Sequence, residues 1–138
     1  MNKGYVHIYT GNGKGKTTAA FGVVVRMLMR DKRVYVGQFI KGMKYSETRL
    51  ENFFDQLEII QYGLNCFIEN DPTEEDFARA QRGYQEALQA VGNPDYGLVV
   101  LDEIFIAYYY KMLSLDHLKE LIVKKASSVE LIMTGRYC

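Results

Sequence analysis

The 138-residue sequence has only two cysteines and two prolines, no tryptophan and no long apolar segment. Cys66 and Cys138 lie far apart and form no CxxC pair, so the signature of a structural zinc site or a disulfide framework is missing. No apolar run approaches the roughly 18 residues of a membrane-spanning helix, and the N-terminus does not follow the layout of a signal peptide. We therefore expect a reduced, cytoplasmic protein without a membrane partner.

Charge is distributed unevenly although the formal net charge is zero. Residues 1–49 carry ten lysines and arginines against two acids, whereas residues 50–138 carry seven against fifteen. A basic first third suits a polyanionic ligand, either a nucleic acid or the phosphate chain of a nucleotide. The alternative is that the two parts simply neutralise each other across the fold, and charge alone leaves the three possibilities open.

Hydrophobic residues make up 48% of the chain and charged residues 25%, which is typical of a globular domain. Short apolar runs predict strands and longer periodic patterns predict helices. The predicted strands are 5–9, 33–40, 57–62, 97–101 and 129–133, and the predicted helices are 15–30, 46–54, 72–91, 104–112 and 115–125. Because strands alternate with helices, we expect an α/β fold with a mainly parallel central sheet between two helical layers.

The helix predicted over 72–91 has the clearest sequence signals. Asp71 is the candidate N-cap, Pro72 takes the first helical position and Gly92 ends the helix. Its predicted buried face consists of Phe77, Ala80, Tyr84, Ala87, Leu88 and Val91. Ser46 caps the short helix before it, and Ser114 or Asp116 caps the last one.

Residues 10–18 read TGNGKGKTT and lie between a predicted strand and a predicted helix. This context is that of a P-loop, in which glycines turn backbone N–H groups onto a phosphate at a helix N-terminus. Lys16 supplies a cation for phosphate oxygens, and the Thr17 hydroxyl is placed to coordinate magnesium. The usual glycine six residues before the lysine is replaced by Thr10, which shortens the motif to GxxxGKT. We therefore expect a P-loop NTPase-like three-layer sandwich.

A second motif supports a nucleotide site with magnesium. The apolar run over 98–101 ends in Asp102 and Glu103, where a buried parallel strand would deliver two carboxylates to the ligand-binding edge of the sheet. The alternative is that one of them only caps the following helix. His7 and His117 are interpreted as structural residues.

Together these motifs resemble the P-loop type of ATP:corrinoid adenosyltransferase. The resemblance rests on GNGKGKTT at 11–18 and the following AAFG, on QFIKG at 38–42, on LDE at 101–103 and on TGR at 134–136, in the order of the family and over nearly the whole chain. In this family, reduced cobalt of a corrinoid attacks the ribose 5′ carbon of ATP and expels triphosphate. No general base is needed, because cobalt(I) is itself a strong nucleophile.

The resemblance implies roles for individual residues. Lys16, Thr17 and Glu103 form the catalytic set, and Thr17 and Glu103 hold magnesium. The implied ATP-binding residues are Gly11, Asn12, Gly13, Lys14, Gly15, Lys16, Thr17, Thr18, Arg26 and Arg136. For Arg26 the alternative is a solvated helix position, and for Lys41 the choice between ligand and solvent stays open.

The chain departs from the family pattern at two places. Aromatic residues that pack against the corrin are expected after Gly63, but Leu64 and Cys66 stand there and only Phe67 offers a ring. Leu64 and Phe67 are therefore the candidate corrinoid contacts. The sequence also ends five residues after the last predicted strand, so we expect residues 1–138 to form a single P-loop nucleotide-binding domain that lacks C-terminal elements.

The expected partners are ATP, magnesium and a reduced corrinoid. A flavoprotein reductase that supplies cobalt(I) and a homodimeric assembly are further expectations, the latter from a general prior. No nucleic-acid partner is expected, because the chain is too short for a translocation domain. Two other functions stay open: a P-loop nucleoside kinase and an ATP-binding module without catalysis.

Overall fold

The computed structural model describes residues 4–10, 16–39, 49, 51–63 and 72–135, with the side chains of the first helix described from Ala19 onward. In chain order the elements are β1 (Val6–Tyr9), α1 (Lys16–Met29), β2 (Arg33–Gln38), β3 (Leu57–Gln61), α2 (Glu74–Val91), β4 (Tyr96–Asp102), α3 (Ile104–Tyr109), α4 (Leu115–Lys124) and β5 (Glu130–Thr134). All five predicted strands are confirmed, with ends shifted by one or two residues.

The five strands form one sheet in the order β1-β5-β4-β2-β3, and every neighbouring pair is parallel. The α/β class with a parallel central sheet is therefore confirmed. Because the strands are parallel, their carboxyl ends lie at one common edge. β5 lies between β1 and β4, an order that the local patterns could not predict.

Helices cover both faces of this sheet and bury a separate core on each. Helix α1 packs its residues Ala20, Phe21, Val24 and Leu28 on one face, against alternate strand residues such as Val36, Val100 and Ile132. On the other face, side chains of α2, α3 and α4 pack against Tyr35, Val99, Leu101, Leu131 and Met133. We call these the α1 face and the α2 face.

Helix α2 begins later than the sequence analysis predicts. Its N-cap is Thr73, whose hydroxyl accepts from the Asp76 N–H at 3.1 Å while the Asp76 carboxylate accepts from the Thr73 N–H at 3.0 Å. The prediction of Asp71 as the N-cap was therefore wrong. Thr73 is the cap because its reciprocal capping box with Asp76 satisfies two backbone donors at once. Gly92 ends the helix as predicted.

The predicted buried face of α2 is largely correct. Ala80, Tyr84, Ala87 and Val91 are buried and Leu88 is half-buried against the core. The prediction that Phe77 is buried was wrong, since 41% of its surface is exposed. Phe77 lies in the first turn of the helix, before the helix packs against the sheet.

The remaining helices differ from prediction mainly at their ends. Ser114 is confirmed as the N-cap of α4, in a capping box with His117. Helix α3 ends at Tyr109 instead of residue 112, because Lys111 adopts a left-handed φ of 62° and the Met112 N–H donates back to the Ala107 carbonyl at 2.8 Å. The predicted 46–54 helix is represented by short 3-10 geometry in its described part, and its cap Ser46 lies outside the described residues.

Among the described residues, no helix combines the length and apolar character needed to cross a membrane.

Candidate active site at the carboxyl edge

Four polar side chains form a row across the sheet at the carboxyl ends of the strands. Gln38 is paired in register with Gln61 on one side and with Asp102 on the other, and Thr134 follows the paired residues Leu101 and Met133 on the next strand. The row therefore runs Gln61, Gln38, Asp102, Thr134 across β3, β2, β4 and β5. We call it the polar row.

The polar row lies on the α1 face. Strand side chains alternate between faces, and residues two positions before the row, including Val36, Ile59, Val100 and Ile132, pack in the core beneath α1. Helix α1 begins at Lys16, after the connection from β1. Tyr9 at the end of β1 pairs with Thr134, so this connection starts beside the row. The helix N-terminus, which favours anions, thus belongs to the same edge.

Thr134 joins the two acidic residues that end β4. Its hydroxyl donates to Asp102 Oδ1 at 2.7 Å and accepts from the Glu103 backbone N–H at 2.9 Å. All three residues are buried, with exposures of 0% for Thr134, 1% for Asp102 and 5% for Glu103. One threonine therefore orients both carboxylate-bearing residues.

Glu103 has a strained backbone. Its φ of 62° and ψ of 25° are left-handed, a conformation that is uncommon for residues other than glycine. Although Glu103 occupies the N-cap position of α3, its side chain makes no capping hydrogen bond. The helix-cap interpretation of Glu103 was therefore wrong. Strained backbone of this kind persists where the surrounding structure enforces it, often at functional sites.

The carboxylates fit a magnesium ion. Mg²⁺ prefers oxygen ligands, and nucleotide enzymes bind it through one or two carboxylates, water and substrate phosphates. Among the described residues no cluster of three or more histidine, cysteine or acidic ligands forms a closed metal cage. Asp102 and Glu103 supply oxygen donors of the right kind at the right edge.

A second buried polar group lies on the α2 face near the same edge. The Tyr35 hydroxyl donates to the Tyr62 hydroxyl, which donates to Glu86 Oε1 at 2.7 Å, and Arg82 Nε donates to Glu86 Oε2 at 3.0 Å. We call these four residues the tyrosine cluster. Both tyrosines are buried, with exposures of 4% and 5%.

The tyrosine cluster shifts the protonation of its own members. Burial raises the pKa of Tyr35 to about 12, an effect that its hydrogen bond with Tyr62 only partly offsets. Burial, followed by hydrogen bonds to Tyr35 and Glu86, raises the pKa of Tyr62 well above its usual range. Partial burial disfavours the charged form of Glu86, but the hydrogen bonds from Tyr62 and Arg82 outweigh it and lower the Glu86 pKa.

Tyr62 and Gly63 anchor the point where the chain leaves β3. Gly83 of α2 allows this close packing, because a Cβ there would lie 2.9 Å from the Tyr62 ring and 2.7 Å from Phe39. Gly63 has a left-handed φ of 76°, and its carbonyl accepts from Arg79 Nη1 at 3.3 Å. The segment predicted to contact the corrinoid, with Leu64 and Phe67, starts directly after this anchor and lies outside the described residues.

The structure brings some of the predicted site residues together and not others. Lys16, Thr17 and Thr18 form the first turn of α1, at the edge that carries Glu103. Arg26 is exposed and lies ten residues further along α1, about 15 Å along the helix axis. It is therefore not brought to this edge within the chain, and its role stays a prediction.

Seven further residues of the sequence analysis fall in parts of the chain that the structure does not describe. Gly11, Asn12, Gly13, Lys14, Gly15, Lys41 and Arg136 lie outside the described residues. Both histidines have structural surroundings: His7 lies 3.4 Å from Glu130 on β5, and His117 Nδ1 accepts from the Ser114 N–H at 3.0 Å in its capping box.

Sequence reasoning assigned no role to Thr134 or Gln38. Both belong to the motifs that carry the family resemblance, TGR and QFIKG, but nothing local distinguishes their side chains from ordinary strand-end residues. Only the strand order reveals that they flank Asp102.

Comparison with known proteins identifies the family. The sequence model of the family described as ATP:corrinoid adenosyltransferase BtuR/CobO/CobP matches residues 2–138. A corrinoid adenosyltransferase from Pseudomonas aeruginosa is 37% identical over 97% of this chain and 67% of its own length. A corrinoid adenosyltransferase from Escherichia coli K12 is 33% identical over 99% of this chain and 69% of its own length.

Among solved structures, the RadB recombinase is similar with a TM-score of 0.55, at 16% sequence identity, over 96% of this chain and 60% of that one. At this level of identity the likeness concerns the fold alone, and it supports the predicted three-layer α/β architecture.

Proposed function

We propose that this chain, which belongs to the ATP:corrinoid adenosyltransferase family, transfers the 5′-deoxyadenosyl group of ATP to cobalt(I) of a corrinoid. In this step the cobalt(I) electron pair forms a bond to the ribose 5′ carbon, and the carbon–oxygen bond to the phosphate chain breaks. Cobalt is formally oxidised to cobalt(III), and the intact triphosphate leaves with the bonding electrons. No proton transfer is required at the reacting atoms.

The observation that carries this proposal is the polar row beside the N-terminus of α1. A triphosphate leaving group develops negative charge, and catalysis of its departure depends on orientation and on charge neutralisation by preorganised groups. Helix N–H groups and the lysines of a P-loop supply the neutralisation, while Thr134 holds Asp102 and the Glu103 backbone in place.

Within this proposal the P-loop binds the phosphates. The backbone of residues 12–16 surrounds the phosphate chain, Lys14 and Lys16 balance its charge, and the Thr18 hydroxyl donates to a phosphate oxygen. Arg136, two residues after the end of β5 in the sequence, would add a further cation, whereas Arg26 would need a nucleotide pose that extends along α1.

Magnesium is part of the proposal. Thr17 and Glu103 would hold it beside the phosphates, with Asp102 available as a second carboxylate. When bound, the ion offsets the charge of the phosphate chain.

The proposed corrinoid surface begins at Gly63. Leu64 and Phe67 provide apolar contact area for the corrin ring, and the tyrosine cluster supports it by holding the end of β3 against α2. The flavoprotein reductase, the homodimer, the cytoplasmic location and the single domain that lacks C-terminal elements stay predictions of the sequence analysis.

The proposal is tested by anaerobic incubation of the protein with magnesium-ATP and chemically reduced cobalamin. We expect a light-sensitive cobalt–carbon adduct, which is monitored through the corrin absorbance. One triphosphate should be released for each adduct formed. A nucleoside diphosphate product would instead indicate a kinase, and saturable ATP binding without any product would indicate a binding module.

A pair of lysine variants serves as the control. Lys16→Ala should abolish adduct formation, because it removes the cation next to the phosphates. Lys32→Ala removes the same charge from an exposed position just before β2, at the opposite edge of the sheet, and should retain activity. Full activity of Lys16→Ala would contradict the P-loop assignment.

A further inference from the structure

Gln38, in the middle of the polar row, has a buried hydrogen-bond donor whose partner is not part of the described structure. Its side-chain Oε1 accepts from Gln61 Nε2 at 3.0 Å. Its Nε2 has no hydrogen-bond partner among the described residues, although Gln38 is only 1% exposed. A buried donor left unpaired costs about 1–3 kcal/mol, so a partner for Nε2 is expected.

The surroundings of Gln38 restrict where that partner lies. Beneath it on the α1 face are the apolar side chains of Val36, Ile59 and Val100, which offer no acceptor. On β3 the neighbouring amide already pairs with Oε1. On β4 the in-register neighbour Asp102 accepts from Thr134 and is not a hydrogen-bond partner of Nε2. We therefore expect the partner of Nε2 beyond the strand ends, on the side where the phosphate site is proposed.

We infer that Gln38 contacts the substrate directly, with Nε2 donating a hydrogen bond to an oxygen of ATP. This inference rests on the proposed function and adds a contact to it. Acceptor oxygens of ATP belong either to the phosphate chain or to the ribose, and a carboxamide donor serves both.

With Gln38 as a contact, the nucleotide site would extend across the strands of the sheet, from β1 toward β2. With neighbouring strands about 4.8 Å apart, β2 lies roughly 14 Å from β1, across β5 and β4. Gln38 therefore lies three strands away from the end of β1, after which the P-loop sequence begins. Gln61 fixes the amide through its Oε1, which leaves Nε2 as the donor without a partner among the described residues.

The test compares two ligands and three variants by titration calorimetry in the presence of magnesium. The ligands are ATP and inorganic tripolyphosphate. Gln38→Met removes the polar group at similar length, and Gln38→Glu keeps an acceptor for Gln61 but replaces the donor. Gln85→Met makes the same change as the first variant at an exposed position of α2 and is the matched control.

We expect both Gln38 variants to bind ATP roughly 10- to 100-fold more weakly, as for loss of a hydrogen bond to a charged or polar acceptor. Gln85→Met should bind like the unaltered chain. If tripolyphosphate binding weakens in parallel, the acceptor is a phosphate oxygen; if only ATP binding weakens, it is a ribose oxygen.

Unchanged ATP affinity in both Gln38 variants would overturn the inference, because the acceptor would then belong to the protein. Their urea unfolding midpoints, measured alongside, separate this outcome from misfolding. If the unaltered chain binds neither ligand, the proposed function itself fails, and that result is visible before any variant is compared.

Discussion

Two groups of buried polar side chains lie near the same edge of the sheet, one on each face. The polar row on the α1 face includes Asp102, which Glu103 follows directly in the sequence, and carries, on Gln38, a buried donor without a partner in the described structure. The tyrosine cluster on the α2 face instead runs through a continuous chain of hydrogen bonds to the Glu86–Arg82 ion pair, which is partly exposed to solvent.

This difference separates a binding site from a structural support. A polar group that is satisfied within the protein stabilises one arrangement, whereas a buried donor without an internal partner needs an external one. Disruption of the row should therefore act mainly on nucleotide use, and disruption of the cluster mainly on stability and on the corrinoid.

The largest effect is expected for Glu103→Gln. Loss of one charged contact at a preorganised site lowers turnover by roughly two to three powers of ten, and the remaining activity should require more magnesium. Turnover measured across a magnesium titration tests this. Glu130→Gln is the control, because it removes a carboxylate at the start of β5 beside His7. It should change neither the turnover nor the magnesium concentration that turnover requires. Unchanged magnesium dependence in Glu103→Gln would remove Glu103 from the site.

Thr134→Val should have the next largest effect. Valine keeps the shape but loses both the donor to Asp102 and the acceptor for the Glu103 N–H. We expect a loss of about 1–3 kcal/mol in unfolding free energy and a fall in turnover of at least about tenfold. Urea unfolding and turnover measure the two effects, and Thr134→Ser should restore both. A fully active valine variant would show that the bridge is dispensable.

Tyr62→Phe distinguishes the cluster from the row. It leaves the buried Tyr35 hydroxyl without its acceptor, so the unfolding free energy should fall by about 1–2 kcal/mol. The dissociation constant of ATP should stay unchanged while the KM for the corrinoid rises. Tyr108→Phe, at a 42% exposed position of α3, is the matched control. A parallel loss of ATP affinity would contradict the separation of the two groups.

The smallest effect is expected in the pH dependence of stability. Because the folded-state pKa of Tyr35 is raised from 10.0 to about 12, and that of Tyr62 is also raised, the unfolded chain loses these protons first. The contribution to stability is complete below pH 10 and is lost as the pH rises through about 12. The urea unfolding midpoint is measured from pH 8 to pH 11 for both chains. Above pH 10 it should fall less steeply with pH for Tyr35→Phe than for the unaltered chain. Identical slopes would rule out this linkage.

Much of the fold could be predicted because its signals are local. The five strands follow from short apolar runs, and the end of α2 follows from Gly92. The start of α2 was misjudged because Asp71 and Thr73 are both good caps, and only the reciprocal bond with Asp76 selects between them. The predicted burial of Phe77 failed for a related reason, since periodicity does not show where packing begins along a helix.

The features of the site also divide into those that local sequence predicts and those that depend on the tertiary structure. By itself, the sequence determined the P-loop motif, the paired acids after a buried strand and the family, since these depend on residue types at short spacings. Only the tertiary structure decided that β5 lies beside β4, which lets Thr134 bridge Asp102 and Glu103, and that Gln38 is buried next to them. Strand order joins residues more than thirty positions apart, and it is set by the packing of whole helices and strands, which no local pattern records.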